Sequence, residues 1–338
     1  MESKRVVFVA PNVVELQTFT FDLDALPSDR VAIRTRYSLI SPGTELSCLA
    51  GIESWAPLPF VPGYAGCGEV IAVGAEVRNI AVGDRVFSYT KHAGVVQSNT
   101  LTARVPEGLD MRLAVFARLA AVGITALRVS EAELGDWVAV YGLGPVGNLT
   151  AQLFTLAGCT VVGIDLTPMR CEVARRCGVA HVLNPNEVDV HQTVADLTGG
   201  RMCQTVVEAI GAAPLAEPAA RLAGKLGEVI LLGTPRASHV ADMTPLLRHV
   251  HLWGEGCITF KGAHEWRYPV KRDPTGQVKH SIERNVDILL ELIAAGKLRV
   301  EELITHVLSP EEAPTAYAGL RERKDEYLGV VFDWDKVR

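Results

Sequence analysis

The residues best spaced for chemistry form the stretch Gly142 to Gly147, "GLGPVG", between the apolar run "WVAVY" and the segment "NLTAQLFTLAG". Gly142, Gly144 and Gly147 make a GxGxxG. The first glycine permits a tight turn, the second lets a pyrophosphate approach the backbone, and the third allows close strand–helix packing. Pro145 and Val146 open the helix, whose N-terminal amides favour anionic charge. The next β-branched run, "VVGID", ends in Asp165, 23 residues after Gly142, about where an acid hydrogen-bonds the adenosine ribose 2′-hydroxyl. A carboxylate there accepts from a free hydroxyl and repels a 2′-phosphate, which selects NAD over NADP. Arg170 bears on the same choice, because its guanidinium can hold a phosphate, lie flat over the adenine or pair with Asp165. Gly211 in "VVEAIG" and Gly233 in "VILLG" complete the expected cofactor-contacting set.

A second stretch, "VPGYAG" from Val61 to Gly66, sets Tyr64 on a Pro-Gly turn. Pro fixes φ and Gly tolerates positive φ, so the phenol is delivered on a defined backbone. Tyr64 either packs its ring at a strand end or presents its hydroxyl for work.

The elements around these motifs change character along the chain. The first hundred or so residues carry short β-branched runs, "RVVFVA", "RVAIRTRYSLI", "GEVIAVG" and "DRVFSY", punctuated by Pro, Gly and Asp, which predicts a small, mostly antiparallel barrel. From about Arg112, "RLAVFARLAAVGITALRVS" is apolar at helical spacing. Strands and helices then alternate through "WVAVYG", "TVVGID", "HVLN", "TVVEAIG", "EVILLG" and "CITFKG", the pattern of βαβ units in a doubly wound parallel sheet. The tail holds an amphipathic helix, "IERNVDILLELIAAGKL", then "LITHVLS", a helix from Pro310 and "LGVVFDW". The expected organisation is residues 1–120 as the first part of a barrel domain, 121–265 as the nucleotide domain and 266–338 as a segment returning to the barrel.

A chain of 338 residues fits two domains and so a cleft between them. The net charge of −6 comes from interleaved acids and bases, which leaves no positive footprint for nucleic acid. Seven cysteines without a CxxC pair suit reduced thiols better than a disulfide framework. No apolar run approaches a membrane span, and the N-terminus lacks the apolar stretch of a signal peptide, so the expected location is cytoplasmic.

With these pieces in order, the chain resembles the medium-chain dehydrogenase/reductase superfamily along nearly its whole length. The matching stretches are "SPGTEL", "VPGYAG", "VAVGAEV", "VGDRVF", "GDWVAVYGLGPVG", "GKLGEVILLG" and "LITHVLSPEEAPTAYAGL". The resemblance implies a GroES-like β-barrel carrying the substrate site and a Rossmann domain carrying the nucleotide. The zinc-dependent members read Cys-Gly-Thr-Asp where this chain has Pro42-Gly43-Thr44-Glu45, and Gly-His-Glu where it has Gly63-Tyr64-Ala65. The polyol branch places a glutamate ligand near Arg118. Catalytic zinc needs three protein N, O or S ligands, and these positions supply none that is good, so no metal is expected. The four-cysteine structural lobe is missing too.

The resemblance therefore sets Tyr64 where a metal ligand stands, facing the substrate. Thr44 matches the hydroxyl that relays protons, and Ser47 stands where the next relay histidine would be. Arg118 is either a fixed positive charge replacing the metal's, a clamp for a substrate carboxylate or phosphate, or a helix-end arginine in solvent. His92 in "YTKHAGVV" is a candidate general base or a surface histidine at a strand end. Thr125 in "GITA" matches a threonine that approaches the nicotinamide in zinc-free members.

The expected activity is zinc-independent, NAD-dependent interconversion of a secondary alcohol and a ketone. "SPGTE", "VPGY" and "ITH" are similar to a branch that includes bacteriochlorophyllide a dehydrogenase and sugar or cyclitol dehydrogenases, which favours a polyol, sugar or cyclitol substrate. The stretch "GAHEWRYPVKRDPTGQVKHSIERN" either lines a polar pocket or is a surface excursion. Two alternatives remain open: an NAD(P)H-dependent quinone or enoyl reductase, and an inactive nucleotide-binding protein of the same fold. The expected assembly is a homodimer or homotetramer through the edge strand "CITFKG".

Overall fold

The computed structural model describes residues 1–98 and 100–337 and divides into two units. Met1–Arg118, Pro269–Gly296 and Leu303–Arg338 form one; Leu119–Tyr268 and Lys297–Glu302 form the other. Residues 297–302 belong with the nucleotide unit because Gln152 grips the backbone there: its Oε1 accepts from the Arg299 amide at 2.7 Å and its Nε2 donates to the Arg299 carbonyl at 2.9 Å.

The first unit is built on a mainly antiparallel seven-stranded sheet. From edge to edge it runs Ile304–Leu308, Gly329–Asp333, Val31–Leu39, Gly66–Val73, Arg85–Ser88 and Thr102–Arg104, with Val95–Gln97 also paired to Val31–Leu39. Val31, Ile33, Val70, Val86 and Val96 point into one core. The return segment closes the other: Ala316, Tyr317 and Leu320 of the helix Ala313–Glu322 pack with Val6, Phe8, Ile40 and Phe332. A capping box at Ser309 and Glu312 fixes where the chain enters that helical stretch.

The second unit is a six-stranded, all-parallel sheet in the order His181–Leu183, Thr160–Ile164, Trp137–Tyr141, Cys203–Glu208, Ala223–Leu231 and Thr259–Gly262. The strand that precedes "GLGPVG" is central, and the order reverses beside it, which is where open α/β sheets bind ligands. Alternate residues of that strand serve opposite layers: Val138 and Val140 pack with Phe154, while Ala139 and Tyr141 pack with Ala219 and Leu222. Burial on both faces is why "WVAVY" reads as continuously apolar.

The helical run expected from Arg112 onward is two helices, Met111–Ala114 and Ala117–Val129. The Asp110 carboxylate caps the first by accepting from the Arg112 amide at 2.8 Å. Residues 270–280 are a surface excursion, mostly exposed, held by the Asp273 carboxylate and by the pair Lys271–Glu283. Among the described residues no helix is long and apolar enough to cross a membrane.

Candidate active site

In the nucleotide unit each glycine of the motif has a separate physical duty. Gly142 has φ +87°, a region that L side chains rarely adopt. A Cβ on Gly147 would stand 1.8 Å from the Gly142 carbonyl oxygen, so the strand and the helix touch there. Gly144 has nothing within 4 Å of where its Cβ would be. It caps the helix Pro145–Leu156, with Pro145 and Val146 in the first turn, and so opens the helix's amide end to an incoming anion. This cradle fits a dinucleotide pyrophosphate.

Asp165 follows the strand Thr160–Ile164 and is 7% exposed. Its Oδ2 accepts from the Leu143 amide at 2.8 Å and its Oδ1 from the Thr167 amide at 2.8 Å, so the carboxylate is fixed against the glycine turn. Arg170 Nη1 lies 3.8 Å from Asp165 Oδ2; of the three roles open to it, pairing with Asp165 is the one the structure contains.

Gly211 and Gly233 are close-approach positions: a Cβ on Gly233 would lie 2.0 Å from the Gly211 amide nitrogen. The loop at Gly211 is held by Glu208, whose carboxylate accepts from the amides of Ile210 and Gly211 at 2.9 Å. Thr125 corrects an expectation. Its side chain is 0% exposed and its hydroxyl donates to the Ala121 carbonyl of its own helix at 2.9 Å, so it presents nothing to a nicotinamide.

In the barrel unit the turn at Tyr64 is set by Gly63, whose φ is +99° and whose Cβ would stand 2.4 Å from the His92 amide nitrogen. Tyr64 itself is half-buried. The side chains of Ser41 and Thr44, from the N-cap and first turn of the helix Pro42–Leu49, hydrogen-bond its hydroxyl. Loss of water around the phenol pushes its pKa up; Arg118 pulls it down, Glu45 pushes it up, and the two hydroxyls pull it down. The net result is a phenol that stays protonated beyond its ordinary range.

Arg118 is not a solvent-facing helix-end residue. It is 7% exposed, with its guanidinium 4.7 Å from the Tyr64 ring centroid and 4.4 Å from that of Tyr89. A cation at the start of the helix Ala117–Val129 opposes the helix dipole, and the two aromatic faces offset that cost. Ser47 does not continue a relay from Thr44, since its hydroxyl donates to the Gly43 carbonyl at 3.2 Å.

His92 is neither at the surface nor open to a substrate. Its side chain is 0% exposed. Nε2 donates to Glu45 Oε2 at 3.0 Å, Nδ1 shares a 2.8 Å hydrogen bond with Ser38 Oγ, and the Phe332 ring stands edge-on at 5.3 Å. With both nitrogens engaged, it acts on its neighbours and not on a bound molecule. Glu45 also accepts from Tyr317 Oη at 2.5 Å and, through Oε1, from the Ser41 amide at 2.7 Å. Sequence reasoning missed Glu45, Tyr89 and Tyr317. Glu45 stood in plain view in "SPGTEL", but nothing in its spacing shows that its partners are 47 and 272 residues away.

Residues 27–122 match the family model described as alcohol dehydrogenase GroES-like domain, and residues 145–272 match that described as zinc-binding dehydrogenase. D-guloside 3-dehydrogenase of Escherichia coli (strain K12) is 26% identical over 362 residues, covering 97% of this chain and 100% of that protein. Sorbitol dehydrogenase of Bacillus subtilis (strain 168) is 23% identical over 308 residues, covering 81% and 80% respectively. Among solved structures, galactitol-1-phosphate dehydrogenase from Escherichia coli shares the fold with a TM-score of 0.84 at 18% identity, covering 98% of this chain and 99% of that one.

The donor set does not fit the catalytic zinc that such a family name implies. Pro42 has no side-chain donor atom, Tyr64 carries a phenol held in its protonated form, and Arg118 is a cation between two rings. Among the described residues no three His, Cys, Asp or Glu side chains converge to hold a metal.

Proposed function

The chain belongs to the medium-chain dehydrogenase/reductase superfamily, and we propose that it interconverts a secondary alcohol and a ketone with NAD, without zinc, on a polyol, sugar or cyclitol derivative. The observation that carries the reading is the cluster at Tyr64: a protonated phenol beside a buried cation, its hydroxyl held by Ser41 and Thr44. A ketone being reduced develops negative charge on oxygen, and a zinc ion would ordinarily stabilise it. Here Tyr64 donates a hydrogen bond to that oxygen, and the fixed charge of Arg118 lowers the cost of the charge that develops. A nicotinamide dinucleotide held at Gly142, Gly144 and Gly147 would supply the hydride for the carbonyl carbon, or accept it in the reverse direction. As the oxygen gains electron density it takes the Tyr64 proton, and the Ser41 and Thr44 hydroxyls donate hydrogen bonds to the phenolate until solvent returns a proton to it.

The glycine cradle at Gly142, Gly144 and Gly147 would hold the pyrophosphate, and the fixed carboxylate of Asp165 would accept from the adenosine ribose, which favours NAD over NADP. The similarity to D-guloside 3-dehydrogenase and sorbitol dehydrogenase supports a polyhydroxylated substrate. The test is a screen of polyols, sugars and cyclitols for NADH formation by absorbance, run beside elemental analysis of the purified protein. NAD-linked turnover with no stoichiometric zinc and no response to chelators is expected. One zinc per chain would overturn the metal-free reading, and turnover confined to quinones or enones would overturn the alcohol–ketone reading.

A further inference from the structure

Beneath Tyr64 lies a buried polar cluster that the chemistry above does not use. Glu45 is 1% exposed, and its carboxylate collects three donors from three parts of the chain: the Ser41 amide at 2.7 Å, His92 Nε2 at 3.0 Å and Tyr317 Oη at 2.5 Å. The surroundings are apolar. Phe332 stands edge-on to His92 at 5.3 Å, and Phe8 stands edge-on to Tyr317 at 5.0 Å. For stability alone, well-packed apolar residues would serve as well as buried charged and polar ones, so the cluster calls for another purpose.

We propose that Glu45 is a positioning residue for the Tyr64 hydroxyl, its carboxylate fixing the helical turn whose Ser41 and Thr44 side chains hold that hydroxyl. The inference rests on the reading of Tyr64 as the proton donor. Ser41 is tied twice, since its amide donates to Glu45 while its side chain meets Tyr64. His92 and Tyr317 anchor the other carboxylate oxygen, so the turn is braced against the loop at His92, whose backbone is bonded to Val6 and Pro62, and against the helix Ala313–Glu322.

Proton relay is the obvious rival, and the connectivity argues against it. Beyond Glu45 the chain of hydrogen bonds runs through His92 and Ser38 to Trp334 Nε1, which donates to Ser38 at 2.9 Å. An indole N–H cannot accept a proton, so among the described residues that branch ends without an exit. Tyr317, the other branch, is 1% exposed. The cluster braces the site; it does not conduct protons to solvent.

The experiment follows Tyr64 directly, by NMR of protein carrying ¹³C-labelled tyrosine, with its signal assigned from the Tyr64→Phe variant. The charged groups that act on this phenol are Arg118 and Glu45. Glu45→Gln keeps the side-chain volume but removes the charge and loosens the turn. The expected result is a kcat lower by about tenfold or more at unchanged NADH affinity, while on the Tyr64 deprotonation the lost charge acts downward and the loosened Ser41 and Thr44 contacts act upward. A folded Glu45→Gln protein that keeps the wild-type kcat overturns the proposal. If that variant does not fold, Tyr317→Phe decides: it leaves the carboxylate with one donor fewer, so the Tyr64 titration should move to higher pH, and an unmoved titration overturns the proposal. Failure of the donor reading shows separately, as a Tyr64→Phe protein that turns over like the wild type.

Discussion

The guanidinium of Arg118 is held between two phenol rings, 4.7 Å from the centroid of Tyr64 and 4.4 Å from that of Tyr89. The cation therefore acts on the very ring whose hydroxyl meets Ser41 and Thr44. A positive charge set this way works at fixed distance and without ligand exchange.

Tyr64→Phe should lower kcat by on the order of 10² to 10⁴, the range for a positioned acid or base, while NADH affinity stays nearly intact. A packing role predicts little change, because Phe preserves the ring and its buried area. Single-turnover measurement is needed, since slow product release can mask a slowed chemical step.

The pH profile carries its own sign. Burial holds the Tyr64 phenol above its ordinary value of 10.0, so the acid form persists through neutral and mildly alkaline solution. Ketone reduction should therefore stay level in single turnovers up to that value and fall as pH rises through the raised one. A decline centred near neutrality would point to a different proton donor.

Asp165→Ser should narrow the preference for NAD over NADP by removing both the ribose hydrogen bonds and the repulsion of a 2′-phosphate. Calorimetric titration with both reduced cofactors measures it. Tighter NADPH binding by the wild type would transfer the specificity argument to Arg170, whose guanidinium would then have to leave its place beside Asp165.

His306 predicts a pH effect on stability outside the site. Its ring stacks on Tyr327 at 3.8 Å; loss of water and then the charge of Arg323 lower its pKa from 6.5, with Glu326 acting the other way. A depressed histidine is neutral when folded and takes up a proton more readily when unfolded. Its contribution is thus fully present above pH 6.5 and is lost as pH falls through the lower folded value. Urea unfolding of His306→Gln should show a weaker loss of stability across that acidic window than the wild type; equal slopes would exclude the residue as a cause.

Among the described residues the strand Thr259–Gly262 is the edge of the parallel sheet, paired on one side only, and we propose that two copies of the chain meet there. Light scattering at micromolar concentration should give at least twice the chain mass of 36.5 kDa, and a monomer mass would count against the proposal.

Local sequence was enough wherever the site is built from one continuous βαβ unit. Gly142, Gly144, Gly147 and Asp165 could be read as a nucleotide cradle because strand, turn, helix and next strand follow one another, and the backbone sterics of each glycine are set within a few residues. The barrel site was legible only as a set of residue types. That Tyr64 carries a hydroxyl is written in the chain; that Arg118 lies over its ring, that Glu45 ties Ser41 to His92 and Tyr317, and that His92 is sealed from solvent came from tertiary packing. His92 shows the difference most plainly. The chain by itself shows an imidazole beside a strand, which suits a base or a surface residue equally, and the return segment decided the matter by laying Phe332 against the ring and bringing Tyr317 to share its carboxylate partner. Contacts across such separations are chosen by which apolar faces can bury one another, and the pattern of any single segment holds no record of that choice.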